Sequence, residues 1–170
     1  MKKNPFLSVV ASLVLGTGVA PHVSAANPKP ADLVTVTFED PDHFTDVQDR
    51  YSNLASQADL DELRDCVQQT AANSIPAGTK LTVTFLDVDL AGLIRPDKDN
   101  IRVMTGTTFP RAHLKFQLVD NSGKVMKEGE RKLSDMIYQQ SMQIVGRNEA
   151  LFYDKQLLKE WVRKEFKKNS

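Results

Sequence analysis

The 170-residue chain is poor in the residues on which most known chemistry depends: it has one cysteine and three histidines. A single cysteine excludes an internal disulfide, and a redox-active thiol would need exposure and a lowered pKa. Cys66 falls beside the apolar stripe of a predicted helix, so we expect an unreactive, half-buried thiol. His43 and His113 have no metal-ligand spacing to another ligand, and hydrolase or phosphate-binding motifs are absent from the sequence. These patterns favour no enzyme class and predict no cofactor and no metal site.

The chain also lacks an apolar run of the length that crosses a bilayer, about 20 residues. Its first 25 residues instead have the three parts of a secretory signal peptide. Lys2 and Lys3 form a basic start, residues 7–19 are mostly apolar, and small residues occupy the cleavage positions. We predict cleavage after Ala25, with Ala26 as the alternative. The prediction is a soluble periplasmic protein, and not a lipoprotein because no cysteine lies near the cleavage position.

A strong charge of either sign is missing as well. Without its signal peptide the chain loses two of its 22 basic residues and keeps all 22 acidic ones. That balance does not indicate nucleic acid as a partner or strong attraction to a membrane surface. Residues 26–170, about 145 in number, are the common size of one domain, and we predict a single domain.

The remaining patterns predict the fold. Residues 33–38, 81–85 and 112–118 alternate between apolar and polar and indicate strands. Ser56 and Asp59 form a capping box that opens a helix over about 57–74. A polar loop over 91–100, a short strand over 101–104, a turn at 120–123 and a charged second arm over 124–131 follow. The last helix covers 151–166. This order predicts an α+β fold with four or five largely antiparallel strands and two helices packed on one face.

The alternation changes phase after Phe85. Apolar residues are odd-numbered up to that position and even-numbered from Leu86 to Leu90. A strand cannot change parity without a bulge, a bend or the end of one-sided burial. We expect Asp87 and Asp89 to project together from the side that Phe85 occupies, about 7 Å apart at their α-carbons.

Several motifs together resemble a known family. They occupy residues 76–78, 86–92, 101–102, 110–111, 123–125, 129–130, 133–135 and 153–158, with Trp161 and Phe166. The chain resembles the proteobacterial domain-of-unknown-function family numbered three thousand and sixteen over nearly all of its mature length. The most specific part is residues 87–92, with the sequence Asp-Val-Asp-Leu-Ala-Gly. The resemblance implies a secreted periplasmic protein and no particular activity.

The polar residues of these motifs are the candidate binding residues: Asp87, Asp89, Arg102, Arg111 and Asp135. Two carboxylates on one strand face are able to hold a divalent cation, or to act as acid and base if their pKa values differ. The simpler interpretation is a structural network in which each aspartate contacts an arginine or a backbone N–H.

Three hypotheses for function follow. The first is a non-enzymatic binding or accessory protein of the cell envelope, with an envelope protein or a small ligand as its partner. The second is a small metal-assisted enzyme that uses Asp87 and Asp89. The third is a peripheral membrane protein that uses the last helix, which carries six basic residues between Lys155 and Lys168. For that helix, packing of its apolar stripe against the core is the simpler interpretation, and it predicts that Trp161 is buried.

Overall fold

A computed structural model describes residues 28–140 and 149–167. The predicted signal peptide and its cleavage site lie outside these residues. The helices are α1 (Pro30–Leu33), α2 (Gln57–Ala72) and α3 (Phe152–Glu165). The strands are β1 (Val34–Phe38), β2 (Thr79–Asp89), β3 (Leu93–Arg95), β4 (Ile101–Val103), β5 (Arg111–Asp120) and β6 (Val125–Ser134). Short 3-10 turns cover Pro41–His43, Pro96–Lys98 and Tyr138–Gln140.

Four strands form one sheet in the order β1-β2-β5-β6. β1 and β2 run parallel, which requires a crossover, and α2 supplies it. The other two pairings are antiparallel, and the turn that joins β5 to β6 is closed by Asp120, whose carboxylate accepts from the backbone N–H of Ser122 and Lys124. The α+β prediction with a largely antiparallel sheet is confirmed.

The two long helices pack side by side on one face of this sheet. Ser56 caps α2 by accepting a hydrogen bond from the backbone N–H of Asp59, which is one of the two bonds of the predicted capping box. The reciprocal bond is not formed, because the backbone N–H of Ser56 donates to the carbonyl oxygen of Val47. Alternate residues of β1, β2 and β5 meet the helices, because a strand's side chains alternate between its two faces. The buried core comprises Val34, Val36, Leu60, Leu63, Val67, Leu81, Val83, Phe85, Val88, Leu114, Phe116, Leu118, Leu158, Trp161, Val162 and Phe166, among others.

The last helix faces the core with its apolar stripe. Trp161 is 5 % exposed and packs edge to face with Phe116 and Phe166. At the end of the helix, Glu165 forms ion pairs with Lys127 and Arg131 of β6. Burial tends to raise the pKa of Glu165, but these two cations outweigh burial and hold it below its usual value. They attach α3 to the edge strand of the sheet.

The segment after β2 differs from the prediction. Residues 91–100 contain strand β3 rather than only a polar loop, and β3 pairs with β4 in a separate two-stranded sheet. The short strand predicted over 101–104 therefore exists but does not join the main sheet. In the part of the chain described here, no helix has the length and apolar character needed to cross a membrane.

Candidate functional site

The phase change after Phe85 is a β-bulge. The register of β2 against β5 shifts between Phe85 and Asp87, so that Leu86 has no partner on β5. The expected bulge is present, but Asp87 and Asp89 project from the face opposite to the one that Phe85 occupies, which contradicts our expectation. Asp87 and Asp89 lie on the face of the sheet that the helices leave open, because the extra residue exchanges the two faces.

The pairing of β2 with β5 shows which face of the sheet each of these residues occupies. Phe85 lies opposite Leu114 and Val88 lies opposite Ala112, and all four are buried beneath the helices. Asp87 lies opposite His113 and Asp89 opposite Arg111, on the other face. The two aspartates still share one face, as predicted.

Asp87 anchors the loop that precedes α2. One of its carboxylate oxygens accepts from the backbone N–H of Thr45 at 2.7 Å, and the other accepts from the Thr45 hydroxyl at 2.8 Å. Both oxygens are therefore engaged within the chain. The arrangement holds residues 44–47 against the end of β2.

Asp89 pairs with its neighbour across the strands. Its Oδ2 accepts from Nη1 of Arg111 at 2.6 Å, and the Arg111 guanidinium lies 4.0 Å from the centre of the Phe109 ring. Burial raises the pKa of Asp89 above its usual value, although the hydrogen bond from Arg111 opposes the rise. A carboxylate and an aromatic ring thus fix one guanidinium on the open face, which restricts its rotamers.

Arg102 contacts neither of these aspartates. It donates to both carboxylate oxygens of Asp46, at 2.7 and 3.0 Å, and to the carbonyl oxygen of Gly92 at 3.3 Å. The Arg102 side chain is only 13 % exposed. Asp46 is itself attached to β2 through backbone hydrogen bonds with Val88 and Leu90. This bidentate pair joins the β3–β4 hairpin to the end of the main sheet.

Asp154 is the site residue that the sequence analysis missed. It lies in the first turn of α3, is 5 % exposed, and its Oδ1 accepts from the backbone N–H of Ala91 at 2.9 Å. Burial raises the pKa of Asp154 to about 7, while the Ala91 hydrogen bond and the positive charge of Arg102 lower it in part. In the sequence, Asp154 is one acidic residue in a helix of mixed charge, and that pattern does not indicate burial.

Asp135 stands apart from the other candidates. Its carboxylate accepts from the backbone N–H of Ile137 at 3.0 Å, and its own N–H donates to the carbonyl oxygen of Pro110. These contacts shape the turn after β6. The five candidate residues therefore belong to four separate sets of contacts rather than to one constellation.

The geometry of the described residues supports neither a reactive thiol at Cys66 nor a metal site. Cys66 is buried, and burial raises the pKa of its thiol, which disfavours the reactive thiolate. Among the described residues, no group of three His, Cys, Asp or Glu side chains is placed to hold a metal ion.

Comparisons with known proteins point to one family. Residues 32–164 match the family described as "Protein of unknown function (DUF3016)". No curated protein and no solved structure matches the chain.

Proposed function

The chain belongs to the DUF3016 family of proteins of unknown function, and we propose that it is an exported, non-enzymatic binding or accessory protein of the bacterial cell envelope. Residues 1–26 support export, because they combine a basic start, an apolar run and small residues at the cleavage positions. The periplasm is the compartment that such a signal serves in a bacterium with two membranes.

The observation that carries the binding function is the open face of the four-stranded sheet. Helices α2 and α3 pack on the opposite face. Val119 and Val125 lie on the open face near the turn between β5 and β6, but most side chains of this face are polar. The polar side chains include Thr35, Thr37, Thr82, Thr84, His113, Lys115, Gln117, Glu128, Glu130 and Lys132. A polar sheet face of this breadth offers hydrogen-bonding groups to a hydrated partner surface, as recognition interfaces do.

Neighbouring side chains on this face already bond to each other. The hydroxyl of Thr37 donates to that of Thr84 at 3.0 Å, Lys115 pairs with Glu39 at 2.8 Å, and His113 contacts Glu130. Such cross-strand bonds hold the side chains in one arrangement, which lowers the entropy lost when a partner binds.

Export is tested by the mass of the mature protein. The intact mass of the periplasmic form is expected to match a chain that begins at Ala26 or Asn27. A protein that keeps Met1 and remains in the cytoplasm would refute export.

Binding through the open face is tested by crosslinking in isolated periplasm, followed by affinity capture and mass spectrometry. Thr82→Arg places a large cation at the middle of the face, and Gln69→Arg adds the same charge on the exposed side of α2. We expect a captured partner to be lost with the first variant and kept with the second. Equal capture by both variants would show that the open face is not the binding surface.

The metal-assisted enzyme hypothesis makes a different prediction, so calorimetry separates the two. If Asp87 and Asp89 bind a divalent cation, calcium, magnesium or manganese raises the melting temperature by mass action, and Asp89→Asn abolishes the rise. We expect no change with any of the three, since both Asp87 oxygens accept from Thr45 and Asp89 pairs with Arg111.

A further inference from the structure

A cavity of about 420 Å³ lies at one end of the open face, where β2, β5 and β6 run side by side. Two cross-strand rows form its floor. Asp87, His113 and Lys132 make the first row, and the second row contributes Arg111 and Ser134. Phe109 and Met136 complete the lining with apolar side chains. Ala112 and Leu133 also border the cavity, but their side chains lie on the helix face of the sheet. The cavity therefore combines a polar floor with an apolar wall.

The polar groups of the floor have an excess of donors. The ammonium group of Lys132 donates no hydrogen bond to any described residue, and neither does the Ser134 hydroxyl. Arg111 uses one N–H group on Asp89, and its side chain is 50 % exposed. A guanidinium has five N–H groups, so further donors remain for a ligand.

Asp87 is the acidic residue that lines the cavity, and each of its two carboxylate oxygens already accepts a hydrogen bond from Thr45. Asp89, in the next cross-strand row, accepts from Arg111 with one oxygen. The carboxylate of Glu130, next to the cavity, contacts Nε2 of His113 at 2.5 Å. A ligand that fits this floor must bring hydrogen-bond acceptors of its own.

The apolar wall limits the ligand further. Met136 lines the cavity and is 70 % exposed, so its apolar side chain is accessible to a ligand. The Phe109 ring lies against the Arg111 guanidinium and so presents apolar surface next to the donors. Methionine adapts its shape to varied apolar partners.

From this juxtaposition we propose that the cavity binds a small amphiphilic anion, with a carboxylate or similar group on Lys132, Arg111 and Ser134 and an apolar body against Phe109 and Met136. The proposal rests on the binding function proposed above and names the class of ligand. A carboxylate accepts from Arg and Lys in charge-assisted hydrogen bonds, which are stronger than bonds between neutral groups.

The test is a titration of the ¹⁵N-labelled mature protein with three six-carbon probes: hexanoate, hexanol and hexylamine. We expect hexanoate to shift the amide resonances of residues 109–113 and 132–136 with a Kd in the millimolar range. Hexanol lacks the anionic group and is expected to bind at least fivefold more weakly at the same resonances. Hexylamine is expected to produce no shifts there, because its ammonium would face Lys132.

Variants of one lysine locate the anion. Lys132→Gln is expected to weaken hexanoate at least fivefold, and Lys132→Arg is expected to restore binding because it keeps the charge. Lys124→Gln is the matched control, since Lys124 lies in the turn at the other end of β5 and β6. Equal binding of hexanol and hexanoate, shifts confined to other residues, or an unchanged Kd in Lys132→Gln would each overturn the proposal.

This result is separable from that of the partner experiment. Capture that depends on Thr82 without hexanoate binding at residues 109–113 would remove the anion site and leave the binding function. Loss of both would remove the binding function itself.

Discussion

Asp154→Asn tests the most unusual electrostatic feature of the fold, a carboxyl group buried at the start of α3. Asparagine has nearly the same shape and keeps a carbonyl oxygen that accepts from the backbone N–H of Ala91. It has no charge at any pH. The substitution therefore removes ionisation while it preserves the hydrogen bond and the packing.

The expected change in the free energy of unfolding follows from the raised pKa of Asp154. The pKa of Asp154 is about 7 in the folded protein, compared with 3.8 as its usual value, which we take for the unfolded chain. Between these pH values the folded protein keeps a proton that the unfolded chain has released. Its contribution to the free energy of unfolding is therefore complete below about pH 4 and falls as the pH rises to 7. The total loss is about 4 kcal/mol, since one pKa unit corresponds to about 1.4 kcal/mol.

Other carboxylates change stability in the opposite direction. Glu165 has a lowered pKa, so its contribution is present at neutral pH and is lost as the pH falls through that lowered value. The useful quantity is therefore the difference between the variant and the wild type at each pH. We expect this difference to be close to zero at pH 4 and to reach about 4 kcal/mol in favour of Asp154→Asn at pH 8.

The assay is urea unfolding at half-unit intervals from pH 4 to pH 8, with Asp65→Asn as the control. Asp65 lies on the exposed side of α2, so the same chemical change is made in solvent. A difference that stays constant across the range would show that Asp154 does not titrate in this window. Destabilisation of the variant at pH 8 would show that the ionised carboxylate is needed, as a partner of Arg102.

Three further predictions concern stability. Arg102→Met leaves Asp46 without its counter-ion in a mostly buried position and is expected to lower the free energy of unfolding by about 2–4 kcal/mol, measured by urea unfolding. Trp161→Ala opens a cavity beneath α3 and is expected to cost roughly 3–5 kcal/mol; unchanged thermal stability would contradict the burial of this ring and favour the membrane hypothesis. Asp87→Ala removes both hydrogen bonds to Thr45 and is expected to cost about 1–2 kcal/mol, a loss that calorimetry measures and that Asp87→Asn is expected to reproduce only in part.

Local patterns predicted much of this fold because they act over a few residues. The helix start at Ser56 and Asp59 is encoded within one turn of helix, and the bond from the Asp59 N–H to the Ser56 side chain is present. The change of parity after Phe85 predicted a bulge for a geometric reason, since a pleated strand has a period of two. The charged arm after the turn at 120–123 is the edge strand β6, where charges discourage further pairing.

The partners of the candidate residues were not predictable in the same way. Arg102 bonds to Asp46 across 56 positions of the chain, and Ala91 bonds to Asp154 across 63. Nothing in the sequence near Arg102 distinguishes Asp46 from Asp87 or Asp89, which are closer along the chain. The choice depends on where the loop before α2 returns to β2, and only the assembled sheet determines that.

The single extra residue at the bulge explains why Asp87 and Asp89 lie on the open face of the sheet. Without Leu86 as an unpaired residue, Asp87 would lie beneath the helices, beside Leu63 and the other buried apolar side chains. An unpaired carboxylate in such a place costs several kcal/mol. The bulge keeps Val88 in the core instead and turns Asp87 and Asp89 towards Thr45 and Arg111. The bulge that keeps Val88 in the core therefore also places Asp87 in the floor of the cavity on the opposite face.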